Sequence, residues 1–148
     1  MTAADFNLER FVTAQAPVFA TVINELRAGR KRTHWMWFIF PQLAGLGRSS
    51  TARFYGISSI DEARAYLGHP LLGPRLELCT RIVLASESSS LHAMFGSPDD
   101  MKFRSCMTLF SLATDDRDNP FRHALERRCS DSPDERTLAL IDAGGSSG

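Results

Sequence analysis

Long apolar runs are missing from this chain. The longest, Trp35 to Phe40, is six residues, against the ~20 that a membrane-spanning helix needs. Cysteine is scarce: Cys79, Cys106 and Cys129 stand far apart and form no CxxC. That pattern excludes a disulfide framework. With Cys79 and Cys106 inside apolar segments, it reads as reduced core thiols and hence a cytoplasmic protein. Net charge is missing too, with 17 basic against 17 acidic residues. Bulk electrostatics therefore gives no argument for nucleic acid or membrane. The N-terminal MTAADFNLER has neither a basic n-region nor an apolar h-region, so no signal peptide is read.

Several chemistries are absent as motifs. The four histidines, His34, His69, His92 and His123, make no HxxxH pair and none lies near a cysteine at zinc spacing. No metal site is expected and no cofactor is implied. There is no GxSxG elbow and no GK[ST] phosphate loop. Acidic residues gather at helix starts and loops, where dipole compensation accounts for them, leaving no catalytic carboxylate pair. If the protein is an enzyme, its residues are His, Lys, Arg and hydroxyls.

What is present is helical punctuation. The 148 residues, 43% of them hydrophobic, suffice for one domain with its own core. Leu8, Phe11, Val12, Phe19, Val22, Ile23 and Leu26 fall at helical spacings, with Asn7 as N-cap and Gly29 as C-cap. Pro17 kinks that helix or breaks it near Ala16. Thr33 can cap a buried helical turn or two from His34 to Phe40, although six apolar residues fit helix or strand by period. Ser49 or Ser50 opens a short helix to Tyr55. Ser59-Ile60-Asp61-Glu62 is a capping box for a helix to Leu67. Leu72, Leu76, Cys79, Ile82 and Val83 form another stripe. Ser97-Pro98, Asn119-Pro120 and Ser132-Pro133 each set a capping oxygen before a proline at the first helical position. Their helices run to about Leu112, Cys129 and Ile141. No alternating strand is found. The expectation is an all-α domain of seven or eight helices over residues 1–143, with a flexible tail at 144–148.

The densest chemistry lies in RKRTHWMWFIFPQLAGLGRS, from Arg30 to Ser49. Arg30, Lys31 and Arg32 serve either as a solvated helix end or as a clamp on phosphate oxygens. Gly47, Arg48 and Ser49 belong to a glycine loop that resembles a phosphate cradle in composition, or is a simple connector. Trp35 and Trp37 lie two apart, so at least one is core mass and the other can stack on a ligand. His34 is the first choice for proton transfer if the chain is hydrolytic, against a structural role. His69 carries the same ambiguity. Gln42 follows the most buried segment, a natural place to read a ligand by hydrogen bonds. Further on, Lys102, Ser105 and Thr108 form a narrow polar stripe on an otherwise apolar helix. That stripe is either an exposed seam or the lining of a polar cavity.

The stretch RKRTHWMWFIFPQLAGLGRSS resembles the DUF1810 family, small bacterial proteins of unknown function sometimes mislabelled calpastatin. The resemblance extends through FYGI (Phe54 to Ile57), DEARAYLGHPLLGPRL (Asp61 to Leu76) and MFGSPDDMKFRSCMTLF (Met94 to Phe110). It covers about Leu8 to Ile141 and is closest in flavour to actinobacterial members. It implies a multihelical fold and no established reaction. Cys106 stands where many relatives have serine, which argues against a catalytic thiol there. A distant similarity to a helical group associated with ADP-ribose and N-glycosidic chemistry is analogy at the level of the fold.

Two functions follow as expectations. The first is a pocket for a small phosphorylated or nucleotide-like ligand, with anion contacts from Arg30, Lys31, Arg32, Arg48 and Lys102. Trp35 or Trp37 would then stack, and His34, Gln42, Ser49, Ser105 or His69 would supply polar contacts. The second is a non-enzymatic protein-docking face built from the same basic and aromatic stretch. Nucleic acid is the least favoured partner. Convergence of His34, Gln42, Ser49, His69 and Lys102 on one concavity would favour the first.

Overall fold

Pro17 sets the first boundary. Having no N–H, it ends helical hydrogen bonding, and the helical stripe from Leu8 to Leu26 becomes two helices. The computed structural model describes residues 6–145, so residues 1–5 of the leader reading and 146–148 of the expected tail lie outside it. Ten helices are found among the described residues: α1 (Glu9–Gln15), α2 (Phe19–Arg27), α3 (Met36–Ile39), α4 (Ser50–Tyr55), α5 (Ile60–Gly68), α6 (Leu72–Ala85), α7 (Leu91–Phe95), α8 (Asp99–Leu112), α9 (Pro120–Arg128) and α10 (Glu135–Gly145). The all-α class holds. The count exceeds seven or eight because of the break at Pro17 and because α7 follows the polar loop at Ser90. There Ser90 Oγ accepts from the Ala93 amide and Gly96, at φ +74°, ends the helix.

Capping explains most boundaries, with corrections. Gly29 takes φ +74° and completes a Schellman end. Its N–H donates to the Leu26 carbonyl, and that of Arg30 to Glu25. Asn119 Oδ1 accepts from the Arg122 amide at 2.9 Å, with Pro120 at the first helical position. Asn7, however, is not a cap: its φ is +53°, and Leu8 occupies the cap position without a side-chain bond. Ser97 caps nothing, because Asp100 Oδ1 takes the Met101 amide and the Asp100 N–H donates to Gly96. Asp134, rather than Ser132, caps α10 by accepting from the Thr137 amide and hydroxyl. That helix also continues past Ile141 to Gly145, into the expected tail. The capping box is half formed. Ser59 Oγ accepts from the Glu62 amide, but the Glu62 carboxylate turns to Ser58 and to a buried ion pair with Arg10 at 2.8 Å.

His69 belongs to this set. Its Nδ1 accepts from the amides of Leu71 and Leu72 at 3.1 and 3.2 Å. It therefore satisfies free N–H groups at the start of α6, a capping role normally filled by a serine or aspartate oxygen.

The core holds two aromatic clusters joined by α8. Phe40, Phe95 and Phe103 meet with ring centroids 5.1 to 5.9 Å apart, and Trp35 borders both Phe40 and Phe95. Two turns along α8, Phe110 lies between Tyr66 and Phe121, and Tyr66 in turn meets Phe11 edge-on. α8 packs against α5, α7, α9 and α10. Truncating a buried ring of this kind costs about 3–5 kcal/mol, a large share of the ~5–15 kcal/mol that stabilises a typical domain. The three cysteines are free and buried. Burial pushes the Cys106 thiol well up and Cys79 to about 12, so neither is poised as a thiolate.

Between the end of α2 and α3 the chain is organised by one carboxylate. Glu25 accepts from the amides of Arg32 and Thr33, the Thr33 hydroxyl and the Trp35 indole N–H, at 2.7 to 3.0 Å. Thr33 is thus engaged with Glu25 and does not cap the next helix, so α3 starts at Met36 and not at His34. Burial alone would raise the Glu25 carboxyl. The Thr33 hydroxyl, the Arg32 and Thr33 amides and the indole N–H outweigh it and bring the pKa to about 2. After α3 an isolated parallel bridge pairs Leu43 with Ile57. The Ile57 N–H donates to Gln42 at 2.9 Å, and the Ala44 N–H donates to Ile57 at 2.7 Å.

Two outcomes are expected. The folded Glu25 carboxyl sits below its ordinary value of 4.5, so its contribution is complete above that pH and is lost as pH falls toward about 2. Glu25→Gln should therefore lower Tm at neutral pH, and its deficit against wild type should shrink across that acid window. A deficit that stays constant in thermal melts from pH 5 to about 2 would count against an ionised hub. His69→Ala should cost about 0.5–2 kcal/mol in denaturant unfolding, the range for a lost helix cap.

Candidate functional site

Four of the sequence candidates meet. Trp37, Gln42, Lys102 and Ser105 line one cavity of about 190 Å³, together with Leu46, Pro98, Met101, Asp134 and Arg136. α3 supplies Trp37, the segment before the Leu43–Ile57 bridge supplies Gln42, α8 supplies Met101, Lys102 and Ser105, and the start of α10 supplies Arg136.

Each wall has a local cause. Gln42 is held by the backbone bond from Ile57, and its residue is only 8% exposed. Its side-chain amide nevertheless has no hydrogen-bond partner among the described residues, while it lines the cavity. Ser105 is buried and donates its hydroxyl to the Met101 carbonyl at 3.1 Å, so its oxygen remains available only as an acceptor. Thr108, next on the stripe, bonds to Arg104 and accepts from the Asp134 amide at 2.8 Å, tying α10 to α8. The polar stripe is therefore buried against α10 and the cavity, not an exposed seam.

The charge is arranged around Asp99. Lys31 Nζ lies 2.9 Å from one of its oxygens and Lys102 Nζ lies 3.1 Å from the other. Burial would raise this carboxyl, but hydrogen bonds and charges from both lysines prevail and hold it below its usual range. Both ammonium groups also sit over indoles, Lys31 at 5.1 Å from the Trp35 centroid and Lys102 at 4.1 Å from that of Trp37. One carboxylate shared by two lysines leaves a residual positive charge beside the cavity. Arg136 adds another, reaching the Leu46 carbonyl at 3.3 Å across the rim.

The other candidates fall elsewhere. Trp35 is core, at 1% exposed. Lys31 reaches the site only through Asp99. Arg30, Arg32, His34 and Arg48 are exposed and none lines the cavity. Ser49 caps α4 through the Ala52 amide, and His69 caps α6. Gly47 is a packing glycine: a Cβ there would lie 2.6 Å from Ala52 Cβ and 3.4 Å from the Trp37 ring. Of the five residues whose convergence was sought, the cavity gathers Gln42 and Lys102 but not His34, Ser49 or His69.

Sequence reasoning missed Leu46, Pro98, Met101, Asp134 and Arg136. Arg136 had a signal: it stands in the first turn of α10, where a positive charge opposes the helix dipole and needs another reason to be there. Pro98 and Met101 also had one, standing four and one residues before Lys102, whereas Leu46 and Asp134 had none, since their proximity depends on tertiary packing.

Two larger grooves lie elsewhere, and neither holds a sealed polar side-chain atom without a partner. One of about 380 Å³ between α6 and α9 includes buried Asn119, whose amide is bonded to Asp116 and Arg122. Another of about 480 Å³ lies beside Ser86 and Ser88, whose carbonyls accept from the Arg128 guanidinium. No group of three or more metal-ligating side chains is assembled among the described residues. No helix there is long and apolar enough to cross a membrane.

Comparison with known proteins fits this architecture. The crystal structure of a conserved hypothetical protein from Mycobacterium tuberculosis superposes with a TM-score of 0.91 at 54% sequence identity, covering 93% of this chain and 98% of that one. No curated protein matches. The profile of DUF1810, described as a protein of unknown function, matches residues 5–141. The chain thus belongs to the DUF1810 family.

Proposed function

We propose that this protein binds a small anionic ligand, phosphorylated or nucleotide-like, in the cavity between α3, α8 and α10. The observation that carries this reading is the Gln42 side chain: its residue is only 8% exposed, and its amide lines the cavity without a protein partner. The amide is not sealed inside the protein, since Arg104 Nε is the sealed unbonded side-chain atom among the described residues, so a ligand or water in the cavity can take both its donor and its acceptor. Lys102 and Arg136 supply the positive rim that favours an anion over a neutral molecule. Trp37, Leu46 and Met101 supply apolar walls.

The reading is one of binding, not turnover. The only carboxylate on the lining, Asp134, is engaged as the cap of α10, and His34 lies outside the lining. The docking alternative has less behind it. The exposed large hydrophobics, Phe54, Leu78, Met101, Leu112 and Leu140, are distributed over α4, α6, both ends of α8 and α10.

A thermal-shift panel of orthophosphate, sugar phosphates and nucleotides at millimolar concentration tests this. A ligand present at about 100 times its Kd adds about 2.7 kcal/mol to folding stability, a shift such melts resolve. The double variant Lys102→Ala/Arg136→Ala should stay folded, with a lower Tm from the lost Asp99 and Trp37 contacts, and lose the ligand-induced rise. Absence of any rise in the wild type would remove the basis of the proposal.

A further inference from the structure

The cavity is too small for a whole nucleotide. Its roughly 190 Å³ falls below the ~300–1,000 Å³ of ordinary ligand pockets and equals about six waters' share of liquid volume. That space takes one ring and not a ring with its sugar and phosphate. A second cavity adjoins it, of about 340 Å³, lined by Arg104, Ser132, Pro133, Asp134, Glu135 and Arg136. Asp134 and Arg136 line both. Two compartments therefore share a wall, and that wall carries a guanidinium.

Their chemistries differ. In the first, Gln42 offers a donor beside an acceptor and Ser105 offers an acceptor only. That set matches the edge of a planar amide-type ring, where an N–H lies next to a carbonyl. In the second, Arg104 and Arg136 form no ion pair among the described residues. The Asp134 carboxylate is turned to Thr137. Arg104 lies beside Cys129 and lowers its thiol pKa against the upward push of burial, and its Nε is buried without a partner. Asp134 and Glu135 share this lining but pair with neither guanidinium, so both forks keep the geometry that holds two phosphate oxygens.

Resting on the binding reading above, we infer that the ligand is a mononucleotide of a single-ring, amide-bearing base. The ring enters the Trp37–Gln42–Ser105 cavity, and the 5′-phosphate lies in the Arg104–Arg136 cavity. Gln42 reads the ring edge; Arg136 marks the passage between the two compartments.

Isothermal titration of the full chain with fragments tests the division. The probes are uridine 5′-monophosphate, nicotinamide mononucleotide, uridine, ribose 5-phosphate and orthophosphate. The mononucleotides should bind at least roughly tenfold tighter than uridine and than ribose 5-phosphate, a gap of about 1.4 kcal/mol. Gln42→Ala should bring the mononucleotides down to the level of ribose 5-phosphate. Arg104→Ala and Arg136→Ala should bring them down to the level of uridine. If Gln42→Ala does not fold, Gln42→Glu keeps the shape, removes the donor–acceptor pair and is read in its place. Mononucleotides no tighter than ribose 5-phosphate would overturn this inference while leaving Lys102- and Arg136-dependent anion binding standing. No heat with any probe would overturn both.

Discussion

The Glu25 carboxylate is the interaction on which the rest of the structure depends. It converts the end of α2 into a fixed exit. Two backbone amides, a hydroxyl and an indole N–H converge on it, so residues 31–35 have little freedom of path. Trp35 is thereby delivered to the aromatic core with its one polar atom satisfied, which a buried indole requires. Because Trp35 is placed, α3 begins at Met36, and Trp37 follows on the side where Lys102 covers it. A charge with a pKa near 2 sets the position of an apolar cluster; electrostatics here precedes packing.

α8 carries the second constraint. It presents Phe103 and Phe110 to two aromatic clusters while Lys102, Ser105 and Thr108 face α10 and the cavity. Polar groups that line the cavity therefore stand on the most heavily packed element among the described residues. Their positions are fixed by core packing, which favours preorganised recognition. Asp99 couples the two constraints. It holds Lys31 from the Glu25 turn and Lys102 from the cavity through its two oxygens.

The helical class and most boundaries were legible because capping is local chemistry. Gly29, Ser49, Ser59 and Asn119 act within a few residues of where they stand. The failures share one cause: a capping group engaged or replaced by another polar group, near or far in sequence. Thr33 is taken by Glu25, Glu62 by Arg10, and Ser97 is displaced by Asp100. Of the candidate cavity's lining, Gln42, Lys102 and Ser105 were legible from polarity placed against an apolar background, and Trp37 from its aromatic mass. Arg136 was not placed there, because no periodicity reveals that α10 returns beside residues some ninety positions earlier. His69 shows the converse. Its residue type suggested chemistry, and its ring nitrogen does the work of a serine oxygen.

The paired backbone bonds at Leu43 and Ile57 have a consequence for how this architecture can vary. The chain leaves Gln42, runs through α4 and comes back to the same point, where the Ile57 amide returns to the Gln42 carbonyl. The ends of that excursion are clamped independently of what lies inside it. Loop closure entropy grows only logarithmically with length, so added residues beside exposed Gly45 alter the lip at Leu46 at small entropic cost, whereas Gly47, Ala52 and Tyr55 are held by packing. The floor residue keeps its coordinates. The lip at Leu46 and the floor at Gln42 are thus separable, and the first can change without moving the second.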